Sequence, residues 1–224
     1  MAAAPLSAGT LVLHDTPLLL LPEEGEELCC TCTSPATSRC PHCGIWLCCP
    51  EQHLEECGVV RRWRGDEPGL LTALGLLRLL KEVSQASGLS PCSQDQGVVE
   101  GLESHLGVRR ATRGWGELVE GVVRPMALHS MAGMPGVPPG VTEEHLESLL
   151  AIILSNQVST GQGTSALFPV FPLLHRACLP TCRWWVEEGR VTVRVATQVD
   201  RGQRLTVAYR CKPPSTCHLS PQVR

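Results

Sequence analysis

A dense run of cysteines constrains this chain more than any other feature of its sequence. Eight of the 13 cysteines in the 224 residues fall between Cys29 and Cys57. They occur in the order Cys29-x2-Cys32, Cys40-x2-Cys43, Cys48 and His53-x3-Cys57. Thiolates and imidazoles are the ligands of tetrahedral zinc, and one CxxC turn presents two sulfurs to one ion. These ligands are too many for a single ion, so the pattern predicts a module that binds two zinc ions with interleaved ligands.

A disulfide knot is the alternative interpretation of the same cysteines. The start of the chain lacks the basic region of a secretory signal, and His14 and Asp15 interrupt its apolar stretch. In cytosolic and nuclear proteins, clustered CxxC pairs are more often metal ligands than disulfides. We therefore expect zinc rather than disulfides, in a protein of the nucleus or the cytoplasm.

The composition limits the classes of partner. The chain is 43% hydrophobic and 18% charged with a formal net charge of -3, which is typical of a soluble globular protein. This charge gives no strong signal for nucleic-acid binding. No apolar run approaches the roughly 20 residues that span a bilayer, and the run 70–80 carries Arg78. We therefore expect no membrane partner.

Hydrophobic periodicity predicts strands at both ends of the chain and helices between them. The strand-like segments are 9–21, 191–195 and 205–209. The helical segments are 70–83, 98–108 and a helix that Thr142 caps and that runs to about Leu154. The first and last strands could then belong to one sheet that a long insertion splits.

In this order the segments resemble the SET-and-MYND family of protein-lysine methyltransferases, and in texture its arthropod branch above all. The similarity runs from about Leu6 to Tyr209. It is carried by 7–17, the cysteine cluster, the leucine-rich helix 70–80, 102–109, 154–158, 175–181 (HRACLPT, where the family has N-H-S-C-x-P-N) and the closing Tyr209. The resemblance implies an α+β fold, in which a MYND-like zinc finger and a helical segment split a SET-type β-sheet domain.

The same resemblance implies a division of the chain into five segments. They are a truncated N-terminal part of the SET domain at 1–28, the zinc finger at 29–57, a helical insertion at 58–162, the C-terminal core of the SET domain at 163–210 and a degenerate post-SET tail at 211–224. Protein or peptide partners are expected to bind through the zinc finger.

The cross-braced ligand pattern of the family can be carried over to this chain. It assigns one zinc ion to Cys40, Cys43, His53 and Cys57. It assigns the other to Cys29, Cys32 and Cys48. The fourth ligand of that second set falls near Gln52, which is not a ligand. Cys49 or Cys30 could supply the missing sulfur, or the site could hold three ligands or stay empty. We therefore expect one tightly bound zinc ion and a second, weaker one.

The resemblance also implies S-adenosylmethionine as cofactor and a histone or other protein lysine as substrate. It makes Tyr209 the catalytic candidate and places Asn156, His175 and Arg176 at the cofactor. The chain departs from the family in residues 1–7, which lack the GxG turn, and at His175-Arg176, which replaces an Asn-His pair. Two of these residues also have a structural interpretation. Asn156 could cap a helix, and Tyr209 could be a core aromatic.

Three functions follow from these observations. The chain could be an active methyltransferase, a non-catalytic zinc-finger scaffold that binds protein partners in transcriptional regulation, or a fragment that lacks the cofactor-binding start and the zinc-binding end of such an enzyme. For the chain as written, we expect no detectable methylation of histone or peptide substrates.

Overall fold

The computed structural model describes residues 1–60, 67–88, 99, 101–133 and 136–208. The strands are β1 (Leu11–Asp15), β2 (Leu19–Pro22), β3 (Ser38–Arg39), β4 (Trp46–Leu47), β5 (Val158–Ser159), β6 (Thr164–Leu167), β7 (His175–Arg176), β8 (Cys182–Glu187), β9 (Arg190–Val195) and β10 (Thr206–Val207). The α-helices are α1 (Pro50–Val60), α2 (Glu67–Gly88), α3 (Leu106–Arg110), α4 (Trp115–Leu118), α5 (Arg124–Met131) and α6 (Glu143–Asn156). This mixture of helices and small sheets confirms the α+β class.

The chain forms two compact units. The first consists of Met1–Thr16 and Val170–Arg224, and the second of Pro17–Pro169. The second unit therefore contains the whole cysteine cluster. The five-segment division of the sequence stays a prediction. Within the described ranges, none of the helices combines the length and the apolar character that a bilayer crossing requires.

A three-stranded antiparallel sheet in the order β1-β9-β8 builds the first unit. In its centre, Val193 pairs with Leu13 on one side and with Trp184 on the other. Side chains alternate between the two faces of a strand, so the valines of β9 at 191, 193 and 195 share the buried face. The predicted strand 191–195, which is β9, shares this sheet with β1 from the start of the chain. The last predicted strand, 205–209, does not, because β10 pairs with β7 in a separate two-stranded sheet.

A buried carboxylate fixes the start of a short 3-10 helix in this unit. Asp15, at the end of β1, accepts hydrogen bonds from the backbone N–H groups of Val170 and Phe171, each at 2.9 Å. Phe171 begins the 3-10 turn Phe171–Leu173 and packs against Trp184, with ring centroids 4.9 Å apart. The carboxylate thus satisfies N–H groups that a helix start leaves without partners inside the helix.

The core of the second unit forms around the leucine-rich helix. Leu74, Leu77 and Leu80 of α2 are buried, as helical spacing requires for one apolar face. Helix α2 also packs against β2 of the antiparallel sheet β2-β6-β5. At Gly75 a Cβ atom would lie 2.7 Å from Cδ1 of Leu21. The missing side chain therefore lets the helix approach the strand closely.

Two of the three predicted helices are confirmed, and the third is wrong over 101–105. Helix α2 covers the predicted 70–83, and in α6 the side chain of Thr142 accepts a hydrogen bond from the N–H of His145, as an N-cap does. Within the predicted 98–108, residues 98 and 100 lie outside the described residues, Val99 is helical, 101–105 contain no helix, and α3 begins at Leu106. The carbonyl groups of Glu103 and Ser104 accept hydrogen bonds from side chains at the end of α6 instead.

Candidate metal centres

Two groups of four cysteine and histidine side chains lie close enough together to hold metal ions. The outer site consists of Cys29, Cys32, Cys48 and Cys49. The inner site consists of Cys40, Cys43, His53 and Cys57. In each group the ligand atoms all lie within 4.8 Å of one another. Along the chain the ligands of the two sites alternate in pairs. Each ion would therefore join two segments with a ligand pair of the other site between them in sequence.

Both CxxC turns have the same backbone geometry. The N–H of Cys29 and of Cys40 donates to the carbonyl five positions later, and the carbonyl of each accepts from the N–H four positions later, all at 2.8 Å. That fourth residue is left-handed in both turns, with φ of 58° at Thr33 and 79° at Gly44. The sequence therefore repeats one local structure, which points the first and last sulfur of each CxxC toward a common centre.

These turns favour the thiolate form of their first cysteine. Burial alone would raise the pKa of Cys29, but hydrogen bonds from backbone N–H groups, the largest from Cys48, lower it to about 5. Burial opposes the same effect at Cys40, where the N–H groups of Cys43 and His42 lower the pKa to about 7. Metal binding requires deprotonated sulfur. The backbone therefore prepares both turns for a cation.

The remaining ligands come from the segment that opens α1. Cys48 and Cys49 directly precede Pro50, the first residue of the helix, a position that suits proline because its missing N–H needs no partner there. His53 and Cys57 follow four residues apart on α1. Residues at i and i+4 lie on one face of a helix, so one helical turn supplies two ligands of the inner site.

The distances fit zinc. A tetrahedral ion with bonds of about 2.3 Å to sulfur has edges of about 3.8 Å between its ligands. In the inner site, Sγ of Cys40 and of Cys57 are 3.6 Å apart, and Sγ of Cys43 lies 3.1 Å from Nε2 of His53. In the outer site the sulfur–sulfur distances from Cys49 are 4.0 Å to Cys29 and 3.4 Å to both Cys48 and Cys32. Sets of four sulfurs, or three sulfurs and one imidazole, are those of structural zinc sites.

An ion pair holds the histidine of the inner site in place. Nδ1 of His53, the ring nitrogen that does not face the ligands, lies 3.8 Å from a carboxylate oxygen of Glu56 and 3.9 Å from Sγ of Cys30. Arg78 of α2 donates two hydrogen bonds of 2.7 Å to Glu56 and one of 2.7 Å to the carbonyl of Cys30. A carboxylate behind a ligating imidazole fixes its orientation and raises its basicity.

The protonation states around His53 show that the inner site attracts positive charge. Contacts with Cys30, Cys43 and Glu56 raise the pKa of His53 to about 12. Burial by itself would raise the pKa of Glu56, but the hydrogen bonds from Arg78 and the contact with His53 outweigh it and hold that pKa at about 2. Glu56 is therefore an anion at neutral pH, and a metal ion at Nε2 would replace the ring proton as the source of positive charge.

The two sites differ in exposure. Cys40, His53 and Cys57 of the inner site are buried and Cys43 is half-buried. In the outer site only Cys29 is buried, Cys32 is exposed, and the other two cysteines are half-buried. None of the described cysteines forms a disulfide.

The structure places Cys49, and not Cys30, with the outer ligands. The sequence left two alternatives for the fourth sulfur, each directly after another ligand of the outer site: Cys30 follows Cys29, and Cys49 follows Cys48. Cys30 is fully buried and faces His53. The sequence pattern assigned neither Glu56 nor Arg78 a role at the site. Two signals could have found them: the single arginine in the apolar helical run 70–80, and the spacing of His53 and Glu56 on one helix face.

The residues assigned to a cofactor by resemblance lie in both units. Asn156 is 8% exposed at the end of α6, where its amide donates hydrogen bonds of 2.9 Å to the carbonyls of Ile152 and Glu103. His175 and Arg176 are exposed in β7 of the first unit. Tyr209 lies outside the described residues. A role in cofactor binding stays a prediction for Asn156, His175 and Arg176, as a catalytic role does for Tyr209.

No protein-family model matches the chain, and no curated protein matches it either. The two candidate metal centres are therefore the basis for a proposal about function.

Proposed function

We propose that this chain is a zinc protein of the SET-and-MYND type, in which two ions fold the 29–57 module into a non-catalytic scaffold for protein or peptide partners. The observation that supports it is the interleaving of two complete four-ligand sets along the chain. One ion joins the first CxxC to the Cys48–Cys49 pair, and the other joins the second CxxC to α1.

The need for metal follows from the small amount of regular structure in the module. Apart from α1, it contains only the two-residue strands β3 and β4. Binding of structural zinc contributes about 10–16 kcal/mol in small finger domains, which is folding free energy when no site exists in the unfolded chain. Two ions are therefore sufficient to order a segment of this size, and the scaffold depends on them.

The test is the zinc content of the full chain, measured by mass spectrometry of the metal after gel filtration. We expect two equivalents per chain for the native sequence. Cys49→Ser is expected to retain one equivalent, because it removes a ligand of the outer site only. Cys30→Ser is the matched control, because it removes the alternative sulfur that the structure leaves out of both sites, and it is expected to retain two. A native chain without zinc would contradict the proposed function.

A second candidate function, protein-lysine methylation, is favoured by the pairing of β1 with β9 across the long insertion, as a split SET domain requires. Calorimetric titration of S-adenosylmethionine into the zinc-loaded chain separates the two candidates. Binding with a micromolar dissociation constant would favour the enzyme. A folded, zinc-loaded chain that does not bind the cofactor would favour the scaffold.

A further inference from the structure

The outer site presents its sulfurs to solvent in a way that the inner site does not. Cys32 is exposed and Cys48 is half-buried, and their Sγ atoms are 3.1 Å apart. Both would be thiolates when they ligate zinc, and thiolates are the form of cysteine that reacts with oxidants. A small oxidant therefore reaches a closely spaced pair of nucleophilic sulfurs without any opening of the fold.

The geometry selects which sulfurs can be joined. Disulfides require Cα atoms about 4.4–6.8 Å apart, whereas Cα atoms of adjacent residues are about 3.8 Å apart. A bond between the neighbours Cys48 and Cys49 is therefore disfavoured, although their Sγ atoms are 3.4 Å apart. Cys32 belongs to a different turn and has its shortest sulfur–sulfur contact with Cys48.

We infer that Cys32 and Cys48 form a site of reversible oxidative modification, whose substrate is a hydroperoxide such as hydrogen peroxide, and that its oxidation releases the outer zinc ion. The inference rests on the proposed function, because it requires zinc at the outer site. It goes further by naming the chemistry of that site and by assigning different fates to the two ions.

The reaction balances as a two-electron oxidation. The thiolate of Cys32 attacks one peroxide oxygen, the O–O bond breaks, and the departing hydroxide takes a proton to become water. The thiolate of Cys48 then attacks the resulting sulfenic acid. An S–S bond forms, the S–O bond breaks, and the second oxygen leaves as water with another proton. The two sulfurs have lost two electrons to the peroxide, and neither remains a thiolate ligand.

Loss of these two ligands leaves the outer ion with Cys29 and Cys49 only. Zinc in structural sites is held by four ligands, so a two-ligand site releases it. The inner site keeps its ion, because Cys40, His53 and Cys57 are buried and the fourth ligand is half-buried. Reduction of the disulfide by thiols restores both ligands and allows zinc to rebind.

The experiment treats the zinc-loaded full chain with increasing hydrogen peroxide in the presence of a chromogenic zinc chelator. We expect rapid release of one zinc equivalent per chain, retention of the second, and recovery of two equivalents after addition of a reductant and zinc. Peptide mapping of the oxidised native chain by mass spectrometry is expected to find the Cys32–Cys48 linkage, so the result does not depend on a variant that must fold.

The matched control is Cys178→Ser, which removes an exposed cysteine from outside the module. It is expected to leave the released equivalent unchanged. Three results would overturn the inference while leaving zinc binding intact. They are release of both ions together, a disulfide among inner-site cysteines, and no release of zinc at peroxide concentrations that oxidise Cys178. A native chain that contains no zinc would overturn the proposed function and this inference together.

Discussion

Thr33 has a backbone conformation that its side chain disfavours. Its φ of 58° is left-handed, and β-branched residues rarely adopt that region because Cβ crowds the backbone. The equivalent position of the second turn is Gly44, where no side chain opposes the conformation. The strain persists at Thr33 because the turn that carries Cys29 and Cys32 closes there, with the N–H of Thr33 donating to the carbonyl of Cys29 at 2.8 Å.

We predict that Thr33→Gly raises the free energy of unfolding of the zinc-loaded chain by about 1 kcal/mol, through relief of this strain. Gly44→Ala is the opposite change in the matching turn, and it should lower stability by a similar amount. A Cβ atom at Gly44 meets no atom within 4 Å, so the backbone conformation alone sets the effect. Urea denaturation measures both. Equal stability of all three chains would argue against strain at Thr33.

The pair formed by Glu56 and Arg78 gives a second prediction at this scale. Glu56→Gln should weaken zinc binding at the inner site about 10- to 100-fold, since the carboxylate orients His53. It should also destabilise the fold by about 2 kcal/mol, because the hydrogen bonds of Arg78 lose their charged partner. Competition with a chelator of known affinity measures the first effect, and urea denaturation the second.

The control for Glu56→Gln is Glu147→Gln, which makes the same chemical change in the ion pair with Arg110, whose side chain is 51% exposed. Exposed ion pairs contribute little, and this one contacts no zinc ligand, so zinc affinity should not change. An inner site that binds zinc equally well in both variants would show that Glu56 does not orient His53.

Sequence predicts ligands better than it predicts what surrounds them. Cysteines and a histidine at metal-binding spacings are recognisable from the sequence alone, and the structure brings together the seven ligands that the family pattern assigns. The role of Arg78 depends on packing of α2 against α1, and that contact joins residues far apart in the chain. The choice between Cys30 and Cys49 likewise depends on side-chain direction. The sulfur of Cys30 lies next to His53, whereas that of Cys49 lies next to the outer-site cysteines.

At the scale of elements, Asp15 links the end of β1 to the 3-10 helix that begins at Phe171. Asp15→Ala leaves two N–H groups without their acceptor, one of them in a buried setting. We predict a loss of stability of about 1–3 kcal/mol, measured by thermal or urea unfolding. Asp15→Asn retains one acceptor oxygen and should lose less. Equal loss in both variants would indicate that the charge, rather than the hydrogen bonds, is what matters.

Elements with strong periodicity were predictable, and those defined by long-range contacts were not. The leucines of α2 repeat at helical spacing, and Thr142 caps α6 as its position suggests. Within the predicted helix 98–108, the part 101–105 is not helical, and the carbonyl groups of Glu103 and Ser104 accept hydrogen bonds from the end of α6. Tertiary hydrogen bonds outweigh the weak helical preference there.

At the scale of the whole molecule, all eight predicted ligands lie in the second unit and none in the first. We predict that removal of zinc by a chelator abolishes amide protection in the module 29–57 but leaves β1, β8 and β9 protected, because their sheet contains no ligand. Hydrogen exchange followed by mass spectrometry measures both regions in one sample. Parallel loss of protection in the two regions would contradict a local role for the metal.

The alternation of β-type residues at both ends of the chain was sufficient to predict strands there, but not which strands share a sheet, since β1 pairs with β9 and β10 pairs with β7. The division at Thr16 and Pro169 was not predictable, because it separates β1 from β2 although only Thr16, Pro17 and Leu18 lie between them. Local patterns identify strands, but membership of a unit depends on the partner strand. Here β1 pairs with β9 and β2 with β6.

The alternation of the two ligand sets also affects synthesis of the chain on the ribosome. The first CxxC and the second emerge before any other ligand, and together they already offer four thiols to one ion. An ion bound at that stage would join sulfurs that the proposed sites assign to different ions. It would have to exchange half of its ligands once Cys48, Cys49 and α1 have emerged, so maturation would then depend on how readily zinc moves between thiolates.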